Sequence, residues 1–300
     1  MDVTCFKCGG TSMVIGIHHT VADGISAVHF TNNWSDIAWG LNDLAIPPFM
    51  DRRHLPARSP PTPSFLHVEY QDRPSLMTSS STPNPSSTTT MISKLRISRD
   101  QLNLLKSKCK HDDLAKNYSS FEIIAGHVWR CLCMARSLAP DQQTKIHILV
   151  DGRGRLRPQL PRGYLGNATF MATPVEAAGE LVPRPFANAA AAVHEAVAGM
   201  TGEYLRSGLD YLELQPDRTP LVRGAHIYQC LNVAVVSWAW LPLHGVDFGW
   251  GRPIYVGPIK ILFEGLPYVL PSATDDGCLE LVISSQEQHM DSFRNYFYCI

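Results

Sequence analysis

The spacing of apolar residues divides this chain into short strand-like runs and longer helix-like stretches. Residues 13–17, Met-Val-Ile-Gly-Ile, form an apolar run of strand length. Behind it, apolar side chains recur at Ala27, Phe30, Trp34, Ile37, Ala38 and Leu41, which predicts a helix that buries this face. Ser98-Arg99-Asp100-Gln101 and Ser119-Ser120-Phe121-Glu122 each place a serine three residues before Gln or Glu, the pattern of a capping box. The second of these predicts a helix running through Trp129 toward Arg136. Further strand-like runs lie at residues 146–150, 233–238, 259–263 and 279–284. Helices alternating with strands in this way predict α/β layers. Two stretches break the pattern. One is a Pro-rich connection from Pro47-Pro48 to Pro60-Pro61-Thr62-Pro63, and the other is residues 77–90, a Ser/Thr/Pro tract with too little apolar surface to order itself. No internal repeat is present.

Composition narrows the class. Three hundred residues with 45% hydrophobic and 18% charged content suffice for a sizeable core in one large or two moderate domains. A net charge of -1 argues against a nucleic-acid surface or a membrane held by charge. The longest apolar stretch, around residues 233–243, is too short and too broken to span a bilayer, and no basic-then-apolar leader opens the chain. Eight cysteines are present. Cys5-x-x-Cys8 has the spacing of half a zinc site or a redox pair, and Cys131-x-Cys133 falls on the predicted helix. Nothing completes a zinc set, and Cys5 and Cys8 fall on one strand-like run, so reduced thiols and no metal are expected.

Candidate chemistry gathers in three places. His18-His19-Thr20-Val21-Ala22-Asp23-Gly24 joins the first strand-like run to the first helix-like stretch. An imidazole there, with an ordinary pKa of about 6.5, suits proton removal near neutral pH. Asp23 is placed to pair with a cation and brace the turn; the spacing by itself equally describes a satisfied turn. Asp151-Gly152-Arg153-Gly154-Arg155-Leu156-Arg157 packs three arginines beside two glycines. Forked guanidinium donors suit phosphate groups, though the same loop reads as a solvated basic turn, and Arg153 also suits Asp23 as an ionic partner. The helix start after Ser119 offers free backbone N–H groups to an anion.

A distant motif, Asp247-Phe248-Gly249-Trp250-Gly251 followed by Arg252-Pro253, joins these. With the His18–Gly24 stretch it resembles the BAHD family of plant acyltransferases. The match extends to Phe6-Lys7-Cys8-Gly9-Gly10, Asp151-Gly152-Arg153, Tyr164-Leu165-Gly166-Asn167, Tyr211-Leu212-Glu213-Leu214-Gln215-Pro216 and Leu221-Val222-Arg223-Gly224-Ala225-His226. Together they are similar to hydroxycinnamoyl-CoA:shikimate/quinate hydroxycinnamoyltransferases, from residue 1 to residue 300.

The resemblance implies a two-domain, CoA-dependent acyltransferase fold of the chloramphenicol acetyltransferase type, with the first domain incomplete. Residues 1–75 and about 245–268 would be the remnant of the N-terminal domain, 76–91 the crossover linker, and 92–244 with 269–300 the C-terminal domain. Family members are longer, so the chain is expected to lack part of the first domain and to turn over poorly by itself. The resemblance implies that His19 is the general base, Asp23 its structural support, and Asp247, Phe248, Gly249, Trp250 and Gly251 a structural element. Trp238, whose indole N–H only donates, is the oxyanion candidate. Acyl-CoA would be a co-substrate, with no resident cofactor. Its contacts would fall at Ser119, Ser120, Phe121, Glu122, Asp151, Gly152, Arg153, Gly154, Arg155, Leu156, Arg157, Ser237 and Trp238. For a shikimate- or quinate-type acceptor, Arg223 would hold the carboxylate and Val236 would line the site. Val236 stands where a threonine is expected and Trp240 where an arginine is. Another alcohol or an amine acceptor therefore stays open, as does an inactive remnant that binds CoA or nothing. Peptide-synthetase condensation domains share the His pattern but lack the Asp-Phe-Gly-Trp-Gly element. The expected partners are small-molecule substrates, with no nucleic acid and no membrane, for a cytoplasmic monomer.

Overall fold

A computed structural model describes residues 1–71, 89–109, 117–221, 231–261, 263–272, 274 and 276–300. Both capping boxes form. Ser98 caps helix α2 (Arg99–Lys108) and Ser119 caps α3 (Ser120–Ala135). Each serine hydroxyl accepts the amide three residues on, while Gln101 or Glu122 returns to accept the serine amide. A cap of this kind contributes about 1 kcal/mol. α3 is apolar on most sides and is buried accordingly, with Ala125, Val128, Trp129 and Leu132 fully enclosed. Its partner α5 (Phe186–Gly199), which follows the single turn α4 (Ala178–Leu181), approaches so closely that a Cβ on Gly126 would lie 2.8 Å from the Ala190 amide nitrogen. Glycine facing small alanines permits that crossing. On α3's other side lies α7 (Glu287–Tyr298), where His127 meets the Phe297 carbonyl at 2.9 Å.

These helices cover a sheet whose order, among the described residues, is β3-β9-β8-β7-β4-β5, with β6 also on β4. β3 (Thr90–Ile97) and β9 (Leu279–Gln286) pair antiparallel, Thr90 opposite Gln286 through Ile97 opposite Leu279. β4 (Gln143–Asp151) and β7 (Asn232–Ser237) run parallel at the centre, Ile146 opposite Val233. β8 (Tyr268–Pro271) lies parallel to β7, while β5 (Thr169–Ala172) and β6 (Val175–Ala177) lie antiparallel to β4. Ile146, Ile148, Val233, Val235 and Ile283 join Trp129 and Phe293 in one core. β7 reads as a nearly continuous apolar run because both its faces are covered, while β4 buries Thr144, Lys145 and His147 among its apolar residues.

Several expectations need correction. Of residues 259–263, the described positions form no strand, and Ile259 is exposed. β8 takes the place beside β7 instead, because its backbone can pair with Val236 and Ser237 on one side and with β9 on the other. Most of the expected linker lies outside the described residues, but Thr90 and Met91, assigned to its end, are already paired within β3. Cys8 sits in the turn after β1 (Asp2–Cys5), not on a strand.

The N-terminal part is built differently. β1 and β2 (Thr11–Val14) pair only with each other among the described residues and are largely exposed. Helix α1 (Gly24–Ala38) follows, but the face predicted to be buried is not. Phe30 and Ile37 are exposed, Leu41 lies beyond the helix, and the buried positions are Ser26, Asn33 and Ser35. α1 docks by its polar edge: the Ser26 hydroxyl reaches the Tyr164 and Gly166 carbonyls, and Asn33 Nδ2 donates to Ile46 O at 3.1 Å.

From α1 the chain crosses to α6 (Gly202–Glu213), where Asp210 accepts the Arg58 and Thr62 amides and pairs with the Arg58 guanidinium. Beyond it, the Ser207 hydroxyl accepts the amides of Ser64 (2.9 Å) and Phe65 (3.1 Å). With both lone pairs used, its own proton goes to His67 Nε2, 2.9 Å away. That leaves His67 Nδ1–H to donate to Glu69, 2.9 Å away, which also accepts the Tyr204 hydroxyl. Residues 58–69 are thus sewn to α6 by satisfied buried polar groups.

Candidate active site

Chain direction gathers the predicted residues at one end of the sheet. β4 and β7 are parallel, so Asp151 and Ser237 close the same edge. Contacts from Arg130 to Val182, Gly126 to Ala190 and Glu122 to His194 run α5 antiparallel to α3. The start of α3, the end of α5 and the start of α6 therefore share that edge, and the loop after β4 is tied there by Arg155. Crevices beyond the carboxyl ends of parallel strands are where such sheets commonly bind ligands.

Asp23 organises this end. It is buried, caps α1 by accepting the Ser26 amide at 2.9 Å, and takes the Ala168 amide and the Thr169 hydroxyl, each at 2.9 Å. Arg153 grips the same carboxylate with both Nη atoms, at 2.9 and 3.0 Å. Burial by itself would raise the carboxyl pKa. The Arg153 hydrogen bond, the Ala168 and Ser26 amides and the guanidinium charge outweigh it and hold Asp23 below its ordinary value. Asp23 is thus an ionised brace with its acceptors occupied.

His19 lies on the loop between β2 and α1, and its side chain is exposed with no hydrogen bond among the described residues. Its backbone is held: Asn167 Nδ2 donates to His19 O at 2.7 Å. Next to Asn167, the Gly166 carbonyl accepts from Arg153 and Ser26. The Gly166-Asn167 dipeptide therefore fixes the histidine turn and the ion pair together. Sequence reading assigned Asn167 no role, and its only signal was membership of a matched motif. His18 differs from its neighbour, because its Nδ1 accepts the Thr20 amide at 3.3 Å and meets the Thr20 hydroxyl at 2.7 Å.

The basic loop spends many of its donors on the protein itself. Arg153 is committed to Asp23, Asp151, Ser26 and Gly166. Arg155 Nη1 caps the end of α5 through the Val197 (2.8 Å) and Met200 (3.1 Å) carbonyls. Leu156 lies in the core, and Gly152 is buried against Phe170. Asp151 turns its carboxylate onto Arg153, and the Gly154 carbonyl accepts from Arg157, the exposed guanidinium of the three. At α3, Phe121 packs against the core and Glu122 is buried, holding the Ser119 amide at 2.6 Å and His194 Nδ1 at 3.1 Å. Ser119 and Ser120 remain at the helix start.

Val236, Ser237 and Trp238 are half-buried at the end of β7. The Trp238 ring stands edge-on to Tyr268, 5.4 Å away, and its indole N–H bonds to no described residue. Ser237 Oγ is buried without a described hydrogen-bond partner. Trp240 is exposed. Arg223 lies outside the described residues. In the Asp247–Gly251 element, the Asp247 carboxylate accepts the Gly249 (2.8 Å) and Gly251 (3.1 Å) amides, both glycines having positive φ. Phe248 packs edge-on to Trp34 at 5.1 Å, so this element lies against α1, the helix that follows the histidine turn. Among the described residues, no group of three or more His, Cys, Asp or Glu could hold a metal ion, and no helix is long and apolar enough to cross a membrane.

Comparison with known proteins places the chain in a family. The profile described as the Transferase family matches residues 1–300. A shikimate O-hydroxycinnamoyltransferase of Nicotiana tabacum is 53% identical, the match covering 99% of this chain and 69% of that protein. A hydroxycinnamoyl-CoA:5-hydroxyanthranilate N-hydroxycinnamoyltransferase of Avena sativa is 46% identical, over 98% of this chain and 66% of that protein. Among solved structures, the TRI101 of F. sporotrichioides complexed with coenzyme A and T-2 superposes with a TM-score of 0.73 at 16% identity, covering 91% of this chain and 62% of that one. The last is a likeness of fold. The chain thus spans about two thirds of the length of each.

Proposed function

The chain belongs to the Transferase (BAHD) family, and from that premise we propose that it moves a hydroxycinnamoyl group from coenzyme A to a hydroxyl of shikimate or quinate. His19 removes the acceptor hydroxyl proton as the oxygen attacks the thioester carbonyl. A C–O bond forms, and the carbonyl electron pair moves to oxygen, where the Trp238 N–H donates to the oxyanion. Collapse breaks the C–S bond, and protonated His19 returns its proton to the departing thiolate. The tobacco relative's name supports the shikimate acceptor.

One contrast carries the choice of base. His18 is tied to Thr20, whereas the His19 imidazole is free on a backbone fixed by Asn167. Asp23, fully engaged by Arg153 and backbone amides, serves geometry and not proton relay. The orphaned Ser237 Oγ supports a ligand at the end of β7, where acyl-CoA would lie. A second reading has an amine acceptor. Val236 offers no hydrogen bond to a polyol, and the oat relative is named for N-transfer.

The test incubates purified protein and p-coumaroyl-CoA with shikimate, quinate or 5-hydroxyanthranilate and reads the products by mass spectrometry. An ester with shikimate or quinate is expected, formed slowly by this chain, and in a counterpart of the relatives' full length His19→Ala should lower the rate by roughly two to four orders of magnitude with CoA affinity kept. An amide alone would select the second reading. No product with any acceptor, together with no calorimetric CoA binding, would overturn both.

A further inference from the structure

A cavity of about 810 Å³ opens between the 56–58 segment, the loop after β4 and the first turns of α6. Three arginines from three separate segments line it: Arg58, Arg157 and Arg206. Each is oriented by the protein itself. Arg58 Nε donates to buried Asp210 at 2.5 Å and its Nη2 to Thr62 O at 2.7 Å. Arg157 Nη1 donates to Gly154 O (2.7 Å) and Leu156 O (2.8 Å), and Arg206 Nη1 donates to Pro56 O (3.1 Å). Nη1 of Arg58 and Nη2 of Arg157 and Arg206 make no hydrogen bond with a described residue. Free donors on pre-oriented planar forks lose little rotamer freedom when they grip an anion.

The charge count fixes the ligand's sign. Asp210 neutralises Arg58, and Glu203 on the rim opposes one further guanidinium, so the lining retains one positive charge. A cation is disfavoured, and an apolar ligand would strip water from three guanidiniums without replacing their hydrogen bonds. The volume is that of a small-molecule site, and Pro56 and Ala57 supply an apolar wall. Phosphate is the group whose oxygens match several forks at once.

We propose that the Arg58–Arg157–Arg206 cavity binds the phosphate groups of a nucleotide-type anion. Two sources share this chemistry: the nucleotide end of an acyl-CoA, or a free nucleotide that binds independently of transfer. Only the first rests on the acyl-CoA reading above.

Calorimetry on the intact chain with adenosine 3′,5′-bisphosphate, inorganic pyrophosphate and CoA tests this, with Arg157→Gln/Arg206→Gln as the variant. Wild type should bind both phosphate probes, and the variant roughly tenfold or more weakly. Glu203→Gln, an exposed change that spares the fold, should tighten both and keeps the test decisive if the double variant does not fold. A weaker affinity for CoA in the double variant assigns the cavity to the co-substrate; unchanged CoA affinity with weakened bisphosphate assigns it to a free nucleotide. Wild type binding pyrophosphate but not CoA would sink the acyl-CoA reading and leave the cavity standing. Wild type binding neither phosphate probe would overturn the proposal. So would equal binding by wild type and a folded double variant, or no gain in Glu203→Gln.

Discussion

Helices α1 and α3 both begin at a side-chain cap and both carry large apolar side chains, seven apolar residues of fifteen in α1 and eleven of sixteen in α3, yet they are held in opposite ways. α3 buries its apolar residues between α5 and α7, with Trp129 and Leu132 fully enclosed. α1 buries Ser26, Asn33 and Ser35 and leaves Phe30 and Ile37 exposed. Stability of the first is spread over a core; that of the second is concentrated in the Asp23–Arg153 pair and the hydrogen bonds around Gly166. The helix that follows the His19 turn therefore rests on a few polar contacts, and each can be removed singly.

The largest effect should come from Trp129→Ala. The ring is fully buried and its indole N–H donates to Thr144 at 3.1 Å, so truncation should cost about 3–5 kcal/mol of global stability in urea unfolding. A loss below about 1 kcal/mol would mean that the α3 layer is not the core.

Arg153→Ala should cost about 3 kcal/mol, but locally, because it leaves a buried carboxylate without its cation. Hydrogen exchange should show residues 24–38 losing protection while α3 keeps its own. Lysine should rescue little, lacking the fork that spans both Asp23 oxygens. Uniform loss across both helices would erase the distinction.

Acid should separate the two regions in the same direction. The folded Asp23 carboxyl titrates below its ordinary 3.8, so its contribution is fully present above that value and is lost as pH falls through the folded one. Asp210 behaves alike: burial raises it, but the Arg58 and Thr62 amides and the Arg58 guanidinium win. Below about pH 4, α1 and residues 58–62 should exchange faster while α3 stays protected; simultaneous loss would refute this.

Asn167→Ala should affect catalysis more than stability. The residue is exposed, so the melting temperature should hold, while kcat should fall roughly tenfold as the His19 turn loses its anchor. A fallen melting temperature with unchanged kcat would make Asn167 merely structural. The smallest effect belongs to Ile37→Lys, expected within about 0.5 kcal/mol because the side chain is 56% exposed. The buried face predicted by its spacing would require several times that loss.

Features set by neighbours in the chain were legible in the sequence. Both capping boxes and the central strands follow from contacts a few residues apart, whereas the run expected as a strand at 13–17 is strand only through Val14. The motifs of the family resemblance also marked which turns belong together. Only the tertiary structure decided which of two locally equal alternatives holds. Arg153 reads equally as a phosphate ligand or an ion-pair partner until residue 153 meets residue 23, and Leu156 in a basic loop gives no sign of entering the core. Residues 259–263 look as strand-like as any, but residues 268–271 have the neighbours on both sides that a ladder needs. The apolar stripe of α1 states only that one face is greasy. Which face is covered depends on what chain lies against it, and here that is the polar edge of residues 164–169.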